Sequence, residues 1–438
     1  MRSIKRVMVD MSATLIHHGH IRLLEQASQH GSVIVGLTSD DEILRRKHYQ
    51  PELSFAHRKE ILTAIRYVDD VVMVPWVITQ DILEQHQIDL LIHGEDNVNP
   101  IDSASIKVVP RTRGISSTQL RCRAQKSITQ INNQKLMLTP GPAALVHESI
   151  KHLKPLFGRG DDEYSGMARA VISWIKDLSG QDEVVMAQGS ATFALELAAH
   201  TFVKGQVLLI STGYYSDRLR KLLPAECKVK ICQYDEIVDI QAEFDWILCA
   251  YTETSTAFRI DLSEVKNLAE RSHARLYVDA TGSIGLEKNH ELADVMAFSS
   301  CKGLFGMTGA CFIAYKNHMK PKQAEHFYFN VETHRNKLVT GPYHAIASLY
   351  GIIKYHHIFR QRVADSKACV LERWPDLVRQ NNQPLLCTYI AGKIVAKDKH
   401  TVLYSPRSDL DGSVICHLGE IHQPTVNCHH RISLAGSS

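Results

Sequence analysis

The sequence predicts an α/β protein with two successive domains and a small C-terminal subdomain. Short β-branched runs alternate with helical stretches from residue 5 to about 120, and the alternation returns on a larger scale in the second half of the chain. After Pro342 it loosens into a helical stretch and a short mixed tail. Alternating strands and helices form parallel sheets that are covered on both faces. We therefore expect domains over 1–125 and 135–345, a linker over 126–134 and a subdomain over 346–438.

The composition of the 438 residues is that of an ordinary globular protein, with 44% hydrophobic and 22% charged residues. The 50 basic and 47 acidic side chains leave a net charge of +3, which disfavours a nucleic-acid binder. No apolar run approaches the roughly 20 residues that a membrane-spanning helix needs, and the first residues lack a signal-peptide apolar segment. We expect a cytoplasmic protein without membrane association.

The cysteines and histidines predict no metal site built from side chains. The 10 cysteines are scattered without a Cys-x-x-Cys pair, which indicates reduced thiols rather than disulfides or a zinc site. The run Cys428–His430 lacks a second pair of ligands. Only histidines that lie inside a motif are therefore taken as candidates.

The first domain carries a histidine motif at a sheet edge. Its predicted strands are Arg6–Asp10, Val33–Leu37, Val71–Val74, Leu90–His93 and Lys107–Val109. The motif His17–His20 lies between the first strand and a helix that starts near Ile21. Ligands bind at this edge of a doubly wound sheet, where a helix N-terminus presents free N–H groups to a phosphate. Two imidazoles three residues apart, with a glycine between them, suit stabilisation of charge on a transferring phosphoryl group.

A second loop that runs into a helix lies at the end of the same domain, over Arg111–Thr118. Its arginines, glycine and hydroxyls form a second potential phosphate cradle at a helix start. Either loop alone is a weak signal. Together, at the two ends of one α/β domain, they predict a phosphate-binding site.

Residues 4–121 resemble the His-x-Gly-His nucleotidyltransferases, in particular cytidylyltransferases, including those attached to phosphoenolpyruvate mutases. The resemblance implies a Rossmann-like nucleotidyltransferase fold, in which His17 and His20 stabilise the transition state at the α-phosphorus of CTP. It also implies residues that bind the phosphates: Lys47, Arg113, Ser116, Ser117 and Thr118. A magnesium ion is expected on the CTP phosphates. Arg58 is either a further site residue or a structural residue of its helix, and Met11 and Thr14 replace a glycine and an aspartate of the family.

The second domain carries a lysine at a strand end. Its predicted strands are Val184–Met186, Val207–Ile210, Trp246–Ala250, Leu276–Val278, Val295–Phe298 and Ala310–Ala314. Lys302 follows one of these strands among small residues, which suits a covalent bond to pyridoxal 5'-phosphate. Asp279 closes another strand and is the expected partner of the pyridine nitrogen. Gly189–Thr192 opens a helix and would cradle the cofactor phosphate.

This half resembles class V aminotransferases of pyridoxal-phosphate fold type I, of the 2-aminoethylphosphonate–pyruvate transaminase kind. The match includes Leu138–Pro142, Glu253–Thr256 and Thr340–Pro342. The resemblance implies that Lys302 is the catalytic lysine and that the cofactor is held by Ser190, Ala191, Thr192, Tyr215, Thr254, Asp279 and Thr340. Tyr215 would stack on the cofactor ring, and Thr340 would reach a phosphate in the neighbouring subunit. A homodimer is therefore expected.

One departure from this family concerns the substrate. The arginine that holds the substrate acid group is replaced by His417, and the terminal subdomain is shortened. A histidine does not reproduce a bidentate arginine–carboxylate contact. Arg259, Arg335 and Arg407 are the candidates to replace that arginine. Ala257 also stands where the family has a glycine.

Two sites on one chain predict consecutive reactions. We expect transamination of phosphonoacetaldehyde to 2-aminoethylphosphonate with an amino-acid donor, and then reaction with CTP to give CDP-aminoethylphosphonate. One alternative keeps both activities on an aminoalcohol phosphate of the ethanolamine or serinol phosphate type. Another leaves the second domain as a dimerisation module without transaminase activity.

Overall fold

The computed structural model of the protein describes residues 5–132, 135–322, 326–378, 382–423 and 428–436. The chain forms two compact units, over Met1–Ile128 and Thr129–Ser438. None of the helices within the described ranges combines the length and the apolar character that crossing a membrane requires.

The first unit is built on a five-stranded parallel sheet. Its strands are β1 (Arg6–Met11), β2 (Ser32–Thr38), β3 (Asp70–Val74), β4 (Leu90–Gly94) and β5 (Ile106–Val109), in the spatial order β3-β2-β1-β4-β5. Its helices are α1 (His18–Ser28), α2 (Asp40–Lys47), α3 (Phe55–Thr63), α4 (Gln80–Gln85) and α5 (Ser117–Asn132). The five predicted strands and the Rossmann-like fold class are confirmed.

The central strand β1 is apolar on both of its faces because helices cover both faces of the sheet. Val7 and Val9 pack with α1 and α3, through residues such as Leu24. Met8 points the other way and packs with Leu83 of α4. This two-sided burial fixes the register of β1 and therefore the position of the loop that follows it.

Helix α5 extends into the segment predicted as a linker. Residues 126–132 of that segment continue the helix that starts at Ser117, while 133–134 lie outside the described residues. Its sequence is polar, and every residue from Arg123 to Ile128 is exposed. A polar sequence without apolar periodicity does not separate an exposed helix from a coil.

The second unit contains a seven-stranded sheet with the order β7-β15-β14-β13-β10-β8-β9. The strands up to β15 are β6 (Leu136–Leu138), β7 (Glu183–Gln188), β8 (Gln206–Ser211), β9 (Lys228–Gln233), β10 (Trp246–Ala250), β11 (Thr252–Glu253), β12 (Phe258–Arg259), β13 (Arg275–Asp279), β14 (Val295–Ser299) and β15 (Ala310–Tyr315). All pairings in the large sheet are parallel except those of β15, so the prediction of a mostly parallel sheet is confirmed. Strand β9 was not predicted, because it is a largely exposed edge strand with little apolar signal.

Helices cover both faces of this sheet. The helices between β6 and β16 are α6 (His147–Ile150), α7 (Asp162–Ser179), α8 (Ala191–Phe202), α9 (Tyr214–Leu219), α10 (Leu262–Arg271), α11 (Val331–Arg335), α12 (Tyr343–Ile352) and α13 (His356–Arg373), of which α13 packs against the C-terminal strands. Short 3-10 helices span Arg220–Leu222, Tyr234–Asp239, His290–Leu292, Ile353–Tyr355 and Pro375–Leu377. Ile247 and Cys249 of β10 belong to one core, while Trp246 and Leu248 belong to the core on the opposite face.

The C-terminal part forms two-stranded sheets. It contains β16 (Cys387–Ile390), β17 (Ile394–Ala396), β18 (Thr401–Leu403), β19 (Ser413–Cys416), α14 (Cys428–Arg431) and β20 (Ile432–Leu434). Strand β16 pairs with β19 and β17 with β20, both antiparallel. Strand β18 pairs in parallel with β6, so the start of the unit is joined to its end.

Candidate active sites

The histidine motif of the first unit lies where β1 ends and α1 begins. His17 is the N-cap of α1, and its Nδ1 accepts a hydrogen bond from the Gly19 N–H at 3.2 Å. A side chain on Gly19 would start 3.0 Å from the His17 ring and 3.3 Å from Ile115, so both side chains pack closely against this glycine. In the loop before the motif, Ala13 has a φ of 43°, in the left-handed region.

The two imidazoles of the motif are held in one protonation state and one tautomer. The Nδ1 atom of His20 accepts a hydrogen bond from the His17 N–H at 3.2 Å, and the two ring centroids are 4.0 Å apart. Burial, with His17 as a neighbour, lowers the pKa of His20 to about 4. Burial and the neighbouring His18 also lower the pKa of His17. Since each Nδ1 is an acceptor, a neutral ring carries its proton on Nε2, which is left as a donor.

Two cations lie near these histidines. The Lys47 Nζ is 3.0 Å from the Ser12 Oγ and 5.1 Å from the Trp76 ring centroid. Arg111 lowers the pKa of both histidines of the pair by its charge and forms an ion pair of 3.1 Å with Asp96. Arg113, the predicted phosphate ligand, is exposed. Arg111 belongs to the loop predicted to bind phosphate but was not among the predicted ligands, because sequence order alone does not show which arginine acts on the histidines.

The hydroxyls of the second loop have different tasks. Ser116 accepts a hydrogen bond from the Gln119 N–H at 3.1 Å and so caps α5. Ser117 donates to the Leu15 carbonyl at 3.2 Å, which joins the start of α5 to the histidine loop. Thr118 is exposed. The two loops therefore meet, but the Ser117 proton is used within the protein.

Arg58 is a structural residue. It is fully buried, and its guanidinium donates to the carbonyls of Leu53, Ser12 and Thr38 at 3.1, 2.5 and 3.0 Å and to the Asp40 carboxylate at 2.5 Å. These contacts tie the ends of β1 and β2 to α3. Of the two possibilities left open for this residue, the structural one is therefore observed.

A carboxylate–imidazole pair, which the sequence analysis did not select, lies at the ends of β1 and β4. The Asp10 Oδ1 is 2.5 Å from the His93 Nδ1, and the Asn99 amide donates to the Asp10 Oδ2 at 3.2 Å. Burial alone would lower the pKa of His93, but the hydrogen bond and charge of Asp10 and the charge of Asp96 raise it. The signal available in the sequence was an acidic residue and a histidine near the ends of adjacent parallel strands.

In the second unit, a cavity of about 450 Å³ lies at the carboxyl edge of the large sheet. Its lining residues come from the ends of β7, β8, β10, β13 and β14 and from the start of β15. They include the predicted residues Ser190, Ala191, Thr192, Tyr215, Thr254, Asp279 and Lys302. Thr340 is exposed and does not line the cavity in its own chain.

Lys302 is packed between two loops. A side chain on Gly141, which has a φ of +134°, would start 3.0 Å from the Lys302 Cγ, so the loop over 140–142 lies directly against the lysine. On the other side, the Lys302 Nζ is 5.8 Å from the Tyr215 ring centroid. The aromatic ring and the lysine amine therefore border the same space.

Asp279 and Arg218 border this space from the sheet edge. Asp279 is 5% exposed and accepts a hydrogen bond from the Thr281 N–H at 2.9 Å. Arg218 lies 4.0 Å from the Asp279 carboxylate, 3.3 Å from the Thr192 hydroxyl and 5.2 Å from the Tyr215 ring centroid. Arg218 follows Tyr215 by three residues in the sequence, but no role was predicted for it.

Ser190 is the N-cap of α8, yet its side chain makes no capping hydrogen bond. The helix starts at the cavity, and its first N–H groups have no partner within a helix. An anion at this point would be bound by these N–H groups and by the helix dipole.

Glu253 holds the loop that carries Tyr215. Its carboxylate is fully buried and accepts hydrogen bonds from the N–H groups of Tyr215, Ser216 and Ser255 at 3.0, 2.9 and 3.0 Å. The Ser255 hydroxyl adds a further hydrogen bond at 2.5 Å. Burial raises the pKa of Glu253, while these hydrogen bonds act in the opposite direction.

The residues considered for the missing arginine lie in different places. Arg259 pairs with Glu287 at 3.0 Å, and Arg335 pairs with Glu332 at 3.4 Å. Arg407 donates to the Tyr214 hydroxyl at 2.9 Å. His417, which replaces the arginine, is 1% exposed.

The first unit is similar in sequence to cytidylyltransferases. A family model described as cytidylyltransferase-like matches residues 13–123. Glycerol-3-phosphate cytidylyltransferase of Bacillus subtilis (strain 168) is 36% identical over 122 residues, which cover 27% of this chain and 95% of that protein. Ethanolamine-phosphate cytidylyltransferase of Arabidopsis thaliana is 31% identical over 150 residues, which cover 30% of this chain and 35% of that protein.

The second unit is similar to aminotransferases. A 2-aminoethylphosphonate–pyruvate transaminase of Pseudomonas aeruginosa (strain PAO1) is 27% identical over 198 residues, which cover 41% of this chain. The chain spans about half of that transaminase, 53% of its length. The crystal structure of an aspartate aminotransferase from Thermus thermophilus superimposes with a TM-score of 0.58 at 18% identity, covering 65% of this chain and 93% of that one. The predicted fold of this unit is therefore confirmed as that of an aminotransferase.

Proposed function

Since the chain belongs, through residues 13–123, to the cytidylyltransferase-like family, we propose that its first unit transfers the cytidylyl group of CTP to a small acid that contains phosphorus. The observation that carries this proposal is the pair of neutral imidazoles at the start of α1, His17 and His20, each with its Nδ1 already bonded to a backbone N–H. An oxygen of the acceptor attacks the α-phosphorus of CTP, and pyrophosphate leaves.

The two histidines would act as fixed hydrogen-bond donors. Their Nε2–H groups are aimed by the backbone, so they can donate to the oxygens on which charge increases in the transition state without a cost of reorganisation. A neutral donor is retained at neutral pH because the pKa of His20 is held at about 4. Neither histidine needs to move a proton in this role.

The surrounding cations and the start of α5 would bind the phosphates. Lys47, Arg111 and Arg113 supply positive charge, and Arg111 joins this set because its charge acts on both histidines. The predicted ligands Ser116, Ser117 and Thr118 lie at the start of α5, where free N–H groups favour an anion. A magnesium ion would be held by the phosphate oxygens of CTP.

The second unit would use pyridoxal 5'-phosphate as an aminotransferase. Buried polar atoms without a hydrogen-bond partner among the described residues border its cavity, namely the Arg218 Nε and the hydroxyls of Thr252 and Thr281. Their donors and the open start of α8 fit a group with a phosphate and a polar aromatic ring. When bound, this cofactor supplies an electron sink for amino-group transfer. Thr340, exposed in its own chain, would serve a neighbouring subunit in a homodimer.

The protein's own residues would position this cofactor. Ser190, Ala191 and Thr192 would bind its phosphate, Tyr215 would stack on its ring, and Asp279 would hold the proton on the ring nitrogen. Thr254 would lie at the ring hydroxyl. Lys302 would bind the cofactor covalently and move the proton at the substrate carbon.

The named activities of the relatives support one substrate for both units. Ethanolamine phosphate and 2-aminoethylphosphonate, named in relatives of the first and second units, are both small phosphorus acids with an aminoethyl group. The second unit would transfer an amino group from an amino acid to phosphonoacetaldehyde, and the first would convert the resulting 2-aminoethylphosphonate with CTP to CDP-aminoethylphosphonate. The alternative acceptor is an aminoalcohol phosphate.

The test measures pyrophosphate release from CTP with 2-aminoethylphosphonate, ethanolamine phosphate and glycerol 3-phosphate offered separately. Release with the phosphonate, lost in His17→Ala and retained in His18→Ala, supports the proposal. His18 is the matched control because it is the exposed neighbour in the same motif. Release only with a phosphate ester contradicts the phosphonate and favours the alternative. No release with any acceptor contradicts the activity itself.

A further inference from the structure

His417 cannot hold a substrate carboxylate. Its Nδ1 lies 3.1 Å from the Ser366 hydroxyl and its Nε2 lies 2.9 Å from the Thr388 hydroxyl, so both ring nitrogens are bonded within the protein. Burial lowers the pKa of His417 to about 3, which leaves the ring uncharged at neutral pH. An amino-acid donor therefore needs another cation for its carboxylate.

Two of the three candidate arginines, and also Arg218, already lie beside carboxylates. Arg259 is paired with Glu287 and Arg335 with Glu332. Arg218 lies within the cavity, beside Asp279 and Thr192, where the cofactor would bind. Arg407 differs, because it makes no ion pair within the part of the chain that the structure describes.

Arg407 is exposed and stacks on Tyr214, the chain neighbour of the cavity residue Tyr215. Its guanidinium lies 5.0 Å from the Tyr214 ring centroid and donates to the Tyr214 hydroxyl at 2.9 Å. Tyr214 in turn lies edge-on to Tyr215, with 5.2 Å between the ring centroids, and Tyr215 faces the Lys302 amine. This stacking orients a planar group with several N–H donors still available.

A second polar group from the same segment lies beside Tyr215. The Tyr404 hydroxyl is buried next to the Tyr215 side chain, within hydrogen-bonding range of it. Burial and the nearby Tyr215 raise the pKa of Tyr404, so the hydroxyl stays protonated as a donor. The segment after β18 therefore brings one guanidinium and one buried, protonated hydroxyl towards Tyr215, the ring that borders Lys302.

We propose that Arg407 binds the carboxylate of the amino-acid donor, with the Tyr404 hydroxyl as a second donor. The inference rests on the aminotransferase activity proposed above and assigns the cation that His417 does not supply. A guanidinium matches the two oxygens of a carboxylate and retains its charge at any pH the protein tolerates. Arg407 acts here as a specificity-determining residue, because an amine without a carboxylate would not use it.

The experiment follows the visible absorbance of the pyridoxal-phosphate-loaded full-length protein after mixing with an amino donor. The best donor among alanine, aspartate and glutamate is compared with its α-amide, which lacks only the charge of the α-carboxylate. We expect Arg407→Gln to lower the apparent second-order rate constant for the acid by roughly 10- to 100-fold, since hydrogen bonds to charged groups are among the strongest. The rate constant for the amide should change less than about 3-fold.

Control variants separate this role from a structural one. Arg407→Lys keeps the charge but not the bidentate geometry of the guanidinium, so its rate constant for the acid should lie between those of wild type and Arg407→Gln. Tyr214→Phe removes the hydroxyl that orients Arg407. It should lower the rate constant for the acid several-fold and leave that for the amide unchanged. Arg335→Gln, which removes a charge elsewhere on the same unit, should match wild type. These variants also decide the question if Arg407→Gln fails to retain the cofactor.

Two other results have distinct meanings. An equal loss with the acid and the amide, or no loss with either, overturns the role of Arg407 while leaving the aminotransferase activity in place. A wild-type protein whose bound cofactor responds to no amino donor contradicts the aminotransferase activity itself, and with it this inference.

Discussion

The sites of the two units both lie at the carboxyl ends of parallel strands, but they use their polar side chains differently. In the first unit, Ser116, Ser117 and Arg58 bind other parts of the protein and hold loops in place. In the second unit, polar atoms of the cavity wall, such as the Arg218 Nε and the Thr281 hydroxyl, have no hydrogen-bond partner in the part of the chain that the structure describes. The first site is therefore shaped by contacts within the chain, and the second leaves donors for a bound group.

This difference separates two kinds of functional residue. In the first unit, several polar side chains of the motifs stabilise the loops at the strand ends, so fewer of their polar groups are available to bind a ligand. Where a cofactor fills a cavity, the unpaired atoms are satisfied only when it binds, because an unpaired buried polar group is costly. Cofactor binding should accordingly stabilise the second unit, whereas CTP should add less to the stability of the first.

The largest effect is expected for Lys302→Ala, which tests whether the two sites work independently. Amino-group transfer should fall by at least about 10³-fold, because the proposed covalent link to the cofactor and the amine proposed to move the proton are both lost. Pyrophosphate release by the first unit should be unchanged. Both rates should be measured on the same preparation, with the exposed Lys288→Ala as control. A parallel loss of both activities would show that the sites depend on each other.

A smaller loss is expected for His20→Ala in the first unit. Removing one aimed donor to the transition state should lower the rate of pyrophosphate release by about 10²- to 10³-fold. Because the pKa of His20 is about 4, the wild-type rate should show no fall from its protonation between pH 8 and 5. A rate profile that falls with a pKa near 6.5, and loses that fall in His20→Gln, would contradict the neutral-donor role.

The strand pattern of both large sheets could be predicted from the sequence because each buried strand is a short apolar run between helices. The edge strand β9 and the extension of helix α5 through residues 126–132 could not, since exposed elements carry little apolar signal. Within the sites, motifs predicted which loops meet. They did not predict that the charge of Arg111 lowers the pKa of His20, or that Glu253 holds the Tyr215 loop, because both depend on side-chain direction.

Glu253→Gln tests how much the buried carboxylate that holds the Tyr215 loop contributes to the stability of the second unit. The amide presents an NH₂ group towards N–H donors, so part of the hydrogen bonding to Tyr215, Ser216 and Ser255 is lost. We expect the free energy of unfolding of the second unit to fall by about 2–4 kcal/mol. Denaturant unfolding measures this, with the exposed Glu243→Gln as control. Unchanged stability would indicate that the carboxylate is protonated or that its contacts contribute little.

The smallest effect concerns the dependence of the second unit's stability on pH. His417 is neutral in the folded protein because burial lowers its pKa to about 3, whereas in the unfolded chain it titrates near 6.5. As the pH falls through 6.5 the unfolded state binds more protons, so wild type should lose stability relative to His417→Gln by up to about 1.4 kcal/mol per pH unit. Buried His290 and His356, whose pKa values burial lowers to about 4, act in both proteins and cancel in the difference. Denaturant unfolding between pH 7.5 and 5 measures this difference in the free energy of unfolding, and the exposed His326→Gln is the control. If the free energies of wild type and His417→Gln change in parallel with pH, the imidazole at this position is not held neutral by burial.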